Sequence, residues 1–285
     1  MWLKRSWGSE VSNVSVLVAL AVNAEGFREI IGVSEGMKED HESWGAFLRQ
    51  LKERGLKGVK LFISDKCLGL VQAMAETYPQ ALWQRCMVHF YRNVFSVTPK
   101  GRVREVAQML KAIHAQESAE TARDKARAVT AKLLEMRLSR AAEIVEAGIE
   151  ETLGYHHFPA EHHIHLRTNN PLERLMREIR RRTRVVGCFP DGHSALMLVC
   201  ARLRHIASTK WGTRRYMDMC RLREAEQLHP QKDDLRRPEN QSKALTTYIT
   251  DQDKRAKDSL RYHARQIQAV DGVCFPRSER VWWIQ

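Results

Sequence analysis

Residues 167–184 combine one early carboxylate with a dense row of guanidinium groups. Glu173 stands near the start of a predicted helix, on which residues three or four positions apart share a face. Six arginines against two glutamates between positions 173 and 184 are a poor balance for an exposed helix held by its own ion pairs. The pattern therefore favours a metal-binding Glu173 beside a phosphate-binding row. That row consists of Arg174, Arg177, Arg180, Arg181 and Arg184.

Glu178 is the competing carboxylate on the same predicted helix. It lies five residues after Glu173, which is about 140° around a helix of 3.6 residues per turn, so the two side chains do not point into one site. We favour Glu173 because it is nearer the helix start and follows the polar turn 168–170.

Asp65 directly follows the apolar run 59–63, which has the composition of a short buried strand. Two interpretations stay open for it. The first is a metal-binding carboxylate at a strand end. The second is an N-cap for the predicted helix 66–78, because Asp is a favoured capping residue.

Cys86 and His89 form a C-x-x-H element after another short predicted strand. A structural zinc site needs four ligands, and no second pair has convincing spacing. We therefore expect a structural role near the active site rather than zinc binding.

The elements around these residues alternate as strand, strand, helix, strand and helix between positions 11 and 78. This order predicts a mixed α/β sheet whose functional residues lie at strand ends. Residues 102–152 contain no proline and are rich in Ala, Glu, Lys, Arg and Leu, which predicts an all-helical insert. Pro171 suits the first turn of the arginine-rich helix, and Asn169 or Asn170 is its predicted cap.

Composition narrows the class of protein. The 285 residues are 43% hydrophobic, enough for a substantial core, and 47 Lys and Arg against 34 Asp and Glu give a net charge of +13. That excess favours a polyanionic partner, with nucleic acid the first candidate. Six cysteines without a CxxC pair, and an apolar run at 14–22 too short to span a bilayer, predict a cytoplasmic protein without a membrane role. A hydrolase with a G-x-S-x-G motif or a P-loop is disfavoured because neither motif occurs.

Three stretches in order resemble the bacterial Mutator-type insertion-sequence transposases: LFISDKCLGL at 61–70, WQRCMVHFYRN at 83–93 and TNNPLERLMREIRRR at 168–182. The resemblance extends over roughly residues 1–228. It implies a ribonuclease-H-like mixed sheet flanked by helices, with an all-helical insertion and a DDE triad that binds Mg²⁺ or Mn²⁺. On this pattern Asp65 matches the second Asp and Glu173 the Glu, both catalytic and metal-binding, while Cys86 and His89 match the signature near the site.

The resemblance also implies an organisation and partners. Residues 1–98 match the first part of the catalytic core, 99–160 the helical insertion and 161–228 the end of the core, and the tail 229–285 is expected to be poorly ordered. The implied partners are the ends of the insertion sequence, target DNA and further copies of the chain, in a nucleoid-associated cytoplasmic setting.

The family's first Asp precedes a segment similar to residues 2–7, whereas no Asp occurs here before Asp40. We therefore expect an N-terminally truncated core with impaired cleavage and strand transfer. The alternative is a non-catalytic remnant that binds DNA non-specifically or interferes with full-length transposase. Whether Asp40 or Glu10 partly replaces the absent Asp stays open.

Overall fold

The computed structural model describes residues 2–7, 10–36, 40–228 and 281–284 as a mixed α/β structure rich in helices. The strands are β1 (Trp2–Trp7), β2 (Glu10–Asn23), β3 (Arg28–Gly36), β4 (Leu61–Ser64), β5 (Leu82–Arg85) and β6 (Val281–Ile284). The first helices are α1 (His41–Glu53), α2 (Leu68–Thr77), α3 (Met87–Ser96), α4 (Val103–His114), α5 (Ala119–Glu135) and α6 (Ser139–Gly148). They are followed by α7 (His163–Leu166), α8 (Asn170–Val186), α9 (Gly192–Ala207), α10 (Lys210–Thr213) and α11 (Cys220–Leu228).

The six described strands form one mixed sheet. β2 pairs antiparallel with β1, β3 and β6, and β4 pairs parallel with β5 and β6. The order β1-β2-β6-β4-β5 therefore joins an antiparallel part to a parallel part, with β3 on the other edge of β2. The predicted α/β class is confirmed at this level.

Residues 14–22 of β2 are apolar except for Ser15, because helices cover both faces of the sheet there. Val16 and Val18 pack in the cluster formed with α8 and α9, whereas Leu17 and Ala19 pack in the cluster formed with α1 and α2. Successive side chains of a strand point to opposite faces, so a doubly covered strand has no polar alternation. This explains the near-continuous apolar run from 14 to 22 in the sequence.

Between α3 and α7 the only secondary structure of the described residues is helical, namely α4, α5, α6 and short 3-10 turns. Each of these three helices has a buried face, which includes Leu110 in α4, Val129 in α5 and Val145 in α6. These residues share one core cluster with Leu61 and Ile63 of β4. The helical layer thus packs against the same strand that ends at Ser64 and leads to Asp65.

Most of the predicted tail, residues 229–280, lies outside the described residues. Its described part, β6, is a strand within the sheet that the sequence analysis did not anticipate. Among the helices of the described ranges, none is both long and apolar enough to cross a membrane.

Candidate functional site

The parallel pairing of β4 and β5 brings Asp65 and Cys86 to the same edge of the sheet. Ser64 is the register partner of Arg85, so the residues that follow them leave the sheet side by side. The backbone N–H of Cys86 donates to the carbonyl of Ser64 over 2.7 Å, which closes this junction. The carboxyl ends of parallel strands are where α/β proteins place ligands.

Asp65 is exposed and does not cap a helix. Its Oδ1 accepts the N–H of Lys66 over 2.8 Å, while α2 starts at Leu68 with Cys67 in the N-cap position. The side-chain capping interpretation is therefore wrong, because the chain continues through two more residues before the helix begins. Asp65 is left at the strand end with its carboxylate toward solvent.

Cys86 and His89 belong to the start of α3 and face the site from the second strand end. Cys86 is fully buried and occupies the N-cap position of α3. Burial raises the pKa of the Cys86 thiol, but hydrogen bonds from His89 and from the N–H of Asn169 outweigh it, and the net pKa is lowered. Hydrogen bonding to Cys86 raises the pKa of His89 against its burial, with further support from the nearby charges of Asp65 and Glu173.

Glu173 lies in the first turn of α8 and reaches the same place. Its Oε1 is 2.9 Å from Nε2 of His89 and 3.7 Å from Nη1 of Arg92. A backbone hydrogen bond brings α8 close to α3. The N–H of Met87 donates to the carbonyl of Arg167 over 2.9 Å and so ties the segment before α8 to the start of α3. His89 thus contacts Glu173 directly, and the charge of Asp65 contributes to raising the pKa of His89.

Among the described residues, Glu178 forms ion pairs with arginines of α8 and α9 and not with residues at the strand ends. It accepts from Nη2 of Arg202 on α9 over 2.5 Å and lies 3.4 Å from Arg181 and 3.6 Å from Arg182. The hydrogen bond from Arg202 is the main cause that holds the pKa of Glu178 below its usual value. Glu178 joins two helices, and Glu173 is the carboxylate of α8 that faces the strand ends.

The arginines of α8 form an exposed face opposite its buried face. Leu175, Ile179 and Thr183 are buried against the sheet. All five predicted arginines are exposed, and among the described residues only one of them, Arg181, pairs with a carboxylate within 4.0 Å. The other four are Arg174, Arg177, Arg180 and Arg184.

Sequence reasoning missed an ion-pair bridge beside Asp65. Glu151, just after α6, accepts from Nζ of Lys66 over 2.5 Å and from Nη1 of the buried Arg85 over 2.9 Å. It ties the helical layer to both strand ends. No local pattern marks Glu151, whereas Arg92 could have been found because it lies three residues after His89 on the same helix face.

The oxygens of the two carboxylates suit a hard divalent cation. Asp65 uses Oδ1 and Glu173 uses Oε1 in the bonds above, and the described residues place no hydrogen bond on the second oxygen of either. Mg²⁺ retains several waters and is commonly bound by one or two carboxylates together with substrate phosphates. Within the described ranges, however, no group of three or more His, Cys, Asp or Glu side chains is arranged to hold a metal.

The fold and site define an α/β protein in which Glu173, on an arginine-rich helix, lies at the sheet edge where Asp65 follows a strand. Residues 4–212 match the family model described as "Transposase, Mutator family", and the chain belongs to this family. It is 39% identical over 218 residues to the transposase for insertion sequence element ISRM5 of Rhizobium meliloti (strain 1021), covering 76% of this chain and 54% of that protein. It is 40% identical over 217 residues to the transposase for IS1081 of Mycobacterium tuberculosis (strain ATCC 25618 / H37Rv), covering 76% and 52%.

A third relative is the transposase for IS256 in transposon Tn4001 of Staphylococcus aureus, 34% identical over 204 residues, with 71% of this chain and 52% of that protein covered. The chain thus spans about half the length of the curated relatives that it matches. The predicted family is confirmed, together with its association with insertion sequences.

Proposed function

We propose that this chain is the catalytic core of an insertion-sequence transposase, which cleaves and joins DNA phosphodiesters with the help of a divalent metal. The observation that carries the proposal is that Glu173 contacts His89 of α3 at the carboxyl ends of β4 and β5, the edge at which Asp65 follows β4. These residues come from motifs separated along the chain. Family membership supports the same activity.

The proposed site would hold Mg²⁺ or Mn²⁺ through Asp65 and Glu173. When bound, such an ion would stabilise the negative charge that develops on the phosphate oxygens during the reaction. It would also make a bound water or hydroxyl more acidic. The protein's own contribution is positioning: His89 holds Glu173 through Oε1, and Cys86 in turn orients His89. Outer-shell partners of this kind commonly change metal affinity or activity by about 10–100-fold when they are mutated.

The proposed fold is ribonuclease-H-like. Its support is the mixed sheet with antiparallel and parallel parts, together with Asp65 at a strand end and Glu173 at a helix start on one edge. The helical layer α4–α6, with Glu151 reaching back to Lys66 and Arg85, is the proposed insertion. This layer would brace the strand ends rather than supply chemistry.

The catalytic proposal is tested by nicking of supercoiled plasmid DNA in Mg²⁺ or Mn²⁺. Asp65→Asn and Glu173→Gln should each reduce nicking more than about 100-fold, beyond the range typical of outer-shell partners. Glu178→Gln is the matched control, because it changes a carboxylate of the same helix that is bound to Arg202. Nicking that persists in Asp65→Asn would show that the activity comes from elsewhere.

We further propose that the arginine face of α8 binds the DNA backbone. The logarithm of the DNA affinity should fall linearly with the logarithm of the salt concentration. Each lost phosphate contact should reduce the magnitude of that slope by about 1. Arg177→Gln should show this reduction. Arg182→Gln is the control, because Arg182 lies on the same helix but is not one of the five arginines of that face. Equal slopes for the two variants would contradict the assignment of this face.

A second candidate is a DNA-binding protein without cleavage activity, which could also interfere with full-length transposase. It is favoured by the finding that, within the described residues, no three or more His, Cys, Asp or Glu side chains are grouped to hold a metal. Salt-sensitive binding without nicking in either metal would select this second function.

A further inference from the structure

Strand β6 lies between two strands that are not paired with each other in the described sheet. Ile284 is the register partner of Ala21 in β2, and it is also the partner of Phe62 in β4. Trp283 likewise pairs with Val22 on one side and Leu61 on the other. Four residues from the far end of the sequence therefore join the antiparallel part of the sheet to the parallel part.

The side chain of Ile284 is built into the core on one side of this junction. It is 4% exposed, and its cluster contains both register partners, Ala21 and Phe62. Directly opposite residues of paired strands point to the same face, so the three side chains form a row across the junction. Both backbone pairing and apolar burial thus hold β6 in place.

We propose that β2 and β4 form a strand-binding slot and that residues 281–284 of the same chain are its ligand. The slot takes an extended apolar segment that runs antiparallel to β2 and parallel to β4. This is recognition by strand addition, in which main-chain hydrogen bonds give affinity and alternate side chains give selectivity. Binding of this segment in the slot depends on the sheet alone and not on whether the chain cleaves DNA.

Binding of β6 in the slot also supports the strand that leads to Asp65 in the candidate site. β4 is only four residues long, and it leads directly from Ser64 to Asp65. β5 supports one edge of β4 and β6 the other. Loss of β6 leaves β4 as an edge of the described sheet, with its outer backbone groups unpaired. The C-terminal segment is therefore a positioning element for Asp65.

The first test is hydrogen exchange of the full chain with Ile284→Asp, which puts a charge into the apolar row. Exchange should become at least tenfold faster in 21–23 and 61–64, while α4–α6 keep their protection. Ile284→Val is the control and should leave both segments protected, since it retains an apolar β-branched side chain. Unchanged exchange at 61–64 in Ile284→Asp would overturn the proposal.

The second test measures the strand register directly. Directly opposite Cα atoms of an antiparallel pair lie about 4.5–5.5 Å apart, within disulfide range. The double variant Ala21→Cys with Ile284→Cys should form an intrachain disulfide under mild oxidation, identified by peptide mass mapping. Ala19→Cys with Ile284→Cys, displaced by two residues along β2, should not. Equal cross-linking of both pairs, or links only between copies, would overturn the proposal.

The third test adds the ligand from outside. A fluorescent peptide of residues 279–285 should bind the Ile284→Asp chain at least tenfold more tightly than the unmodified chain, whose slot is already filled. A scrambled peptide of the same composition is the control. Equal affinity for both chains, or equal binding of the scrambled peptide, would show that no such slot exists.

Discussion

His114 offers the sharpest test of how the helical layer is built. It ends α4 with 2% of its surface exposed, and its Nε2 lies 2.8 Å from Oγ1 of Thr152. Its Nδ1 lies 2.9 Å from the hydroxyl of Tyr91. Burial is the main cause that lowers the pKa of His114 to about 4, with smaller contributions from the charges of Arg167 and His156. The folded protein therefore holds a neutral imidazole.

The sign of the pH effect follows from this shift. The unfolded chain, with a pKa near 6.5, binds the proton more readily than the folded chain, so stability falls as the pH drops from about 6.5 toward 4. Between pH 7 and pH 5 a single group with these two pKa values costs about 2 kcal/mol. His114→Gln removes this titration and keeps a side chain able to hydrogen-bond.

The measurement is urea unfolding of both proteins at pH 7 and at pH 5. The pH-dependent loss of unfolding free energy should be about 2 kcal/mol smaller in His114→Gln than in the unmodified chain. His205→Gln, which changes an exposed histidine on α9, is the control and should keep the full loss. If His114→Gln and the unmodified chain lose equal stability on acidification, the neutral buried imidazole is not the cause.

Three further changes address other parts of the core. Gly26→Ala should destabilise the chain by more than about 3 kcal/mol in urea unfolding, because the residue has φ +89° and a Cβ there would clash with the carbonyl oxygen of Met217. Arg28→Met should lower the unfolding temperature by a few degrees, because it removes a guanidinium 4.6 Å from the Trp211 ring centroid, a contact worth about 1–2 kcal/mol. Leu110→Ala should cost about 2–5 kcal/mol of unfolding free energy, since the fully buried side chain leaves a cavity. Leu134→Ala, an exposed leucine of α5, should change little.

The placement of Asp65 and the start of α8 could be predicted because both depend on local signals. A short apolar run ending at Asp65 marks β4, and Pro171 in the first turn marks the helix that carries Glu173. The two interpretations of Asp65 could not be separated from the sequence, since a strand-end ligand and a helix cap have the same flanking residues. The structure excludes the helix cap, because α2 begins only at Leu68 with Cys67 in the N-cap position.

The contacts that brace the site could not be predicted, because their partners are remote in sequence. Glu151 lies 85 residues from Lys66 in a segment that reads as an ordinary polar helix end. β6 was missed for a similar reason. Four apolar residues after a long polar stretch carry no local signal for a strand. Their register is set only by pairing with β2 and β4 in the folded sheet.

Helix α8 couples the two halves of the proposed function mechanically. Its buried residues Leu175 and Ile179 fix it to the sheet, so Glu173 and the exposed arginines move as one body. From Glu173 to Arg184 the helix rises by about 16 Å, at about 1.5 Å per residue. That length matches about five base pairs of DNA at about 3.4 Å each. A phosphate backbone that follows the arginine face therefore passes Glu173 within one short DNA segment, so a substitution that tilts α8 should weaken binding and cleavage together.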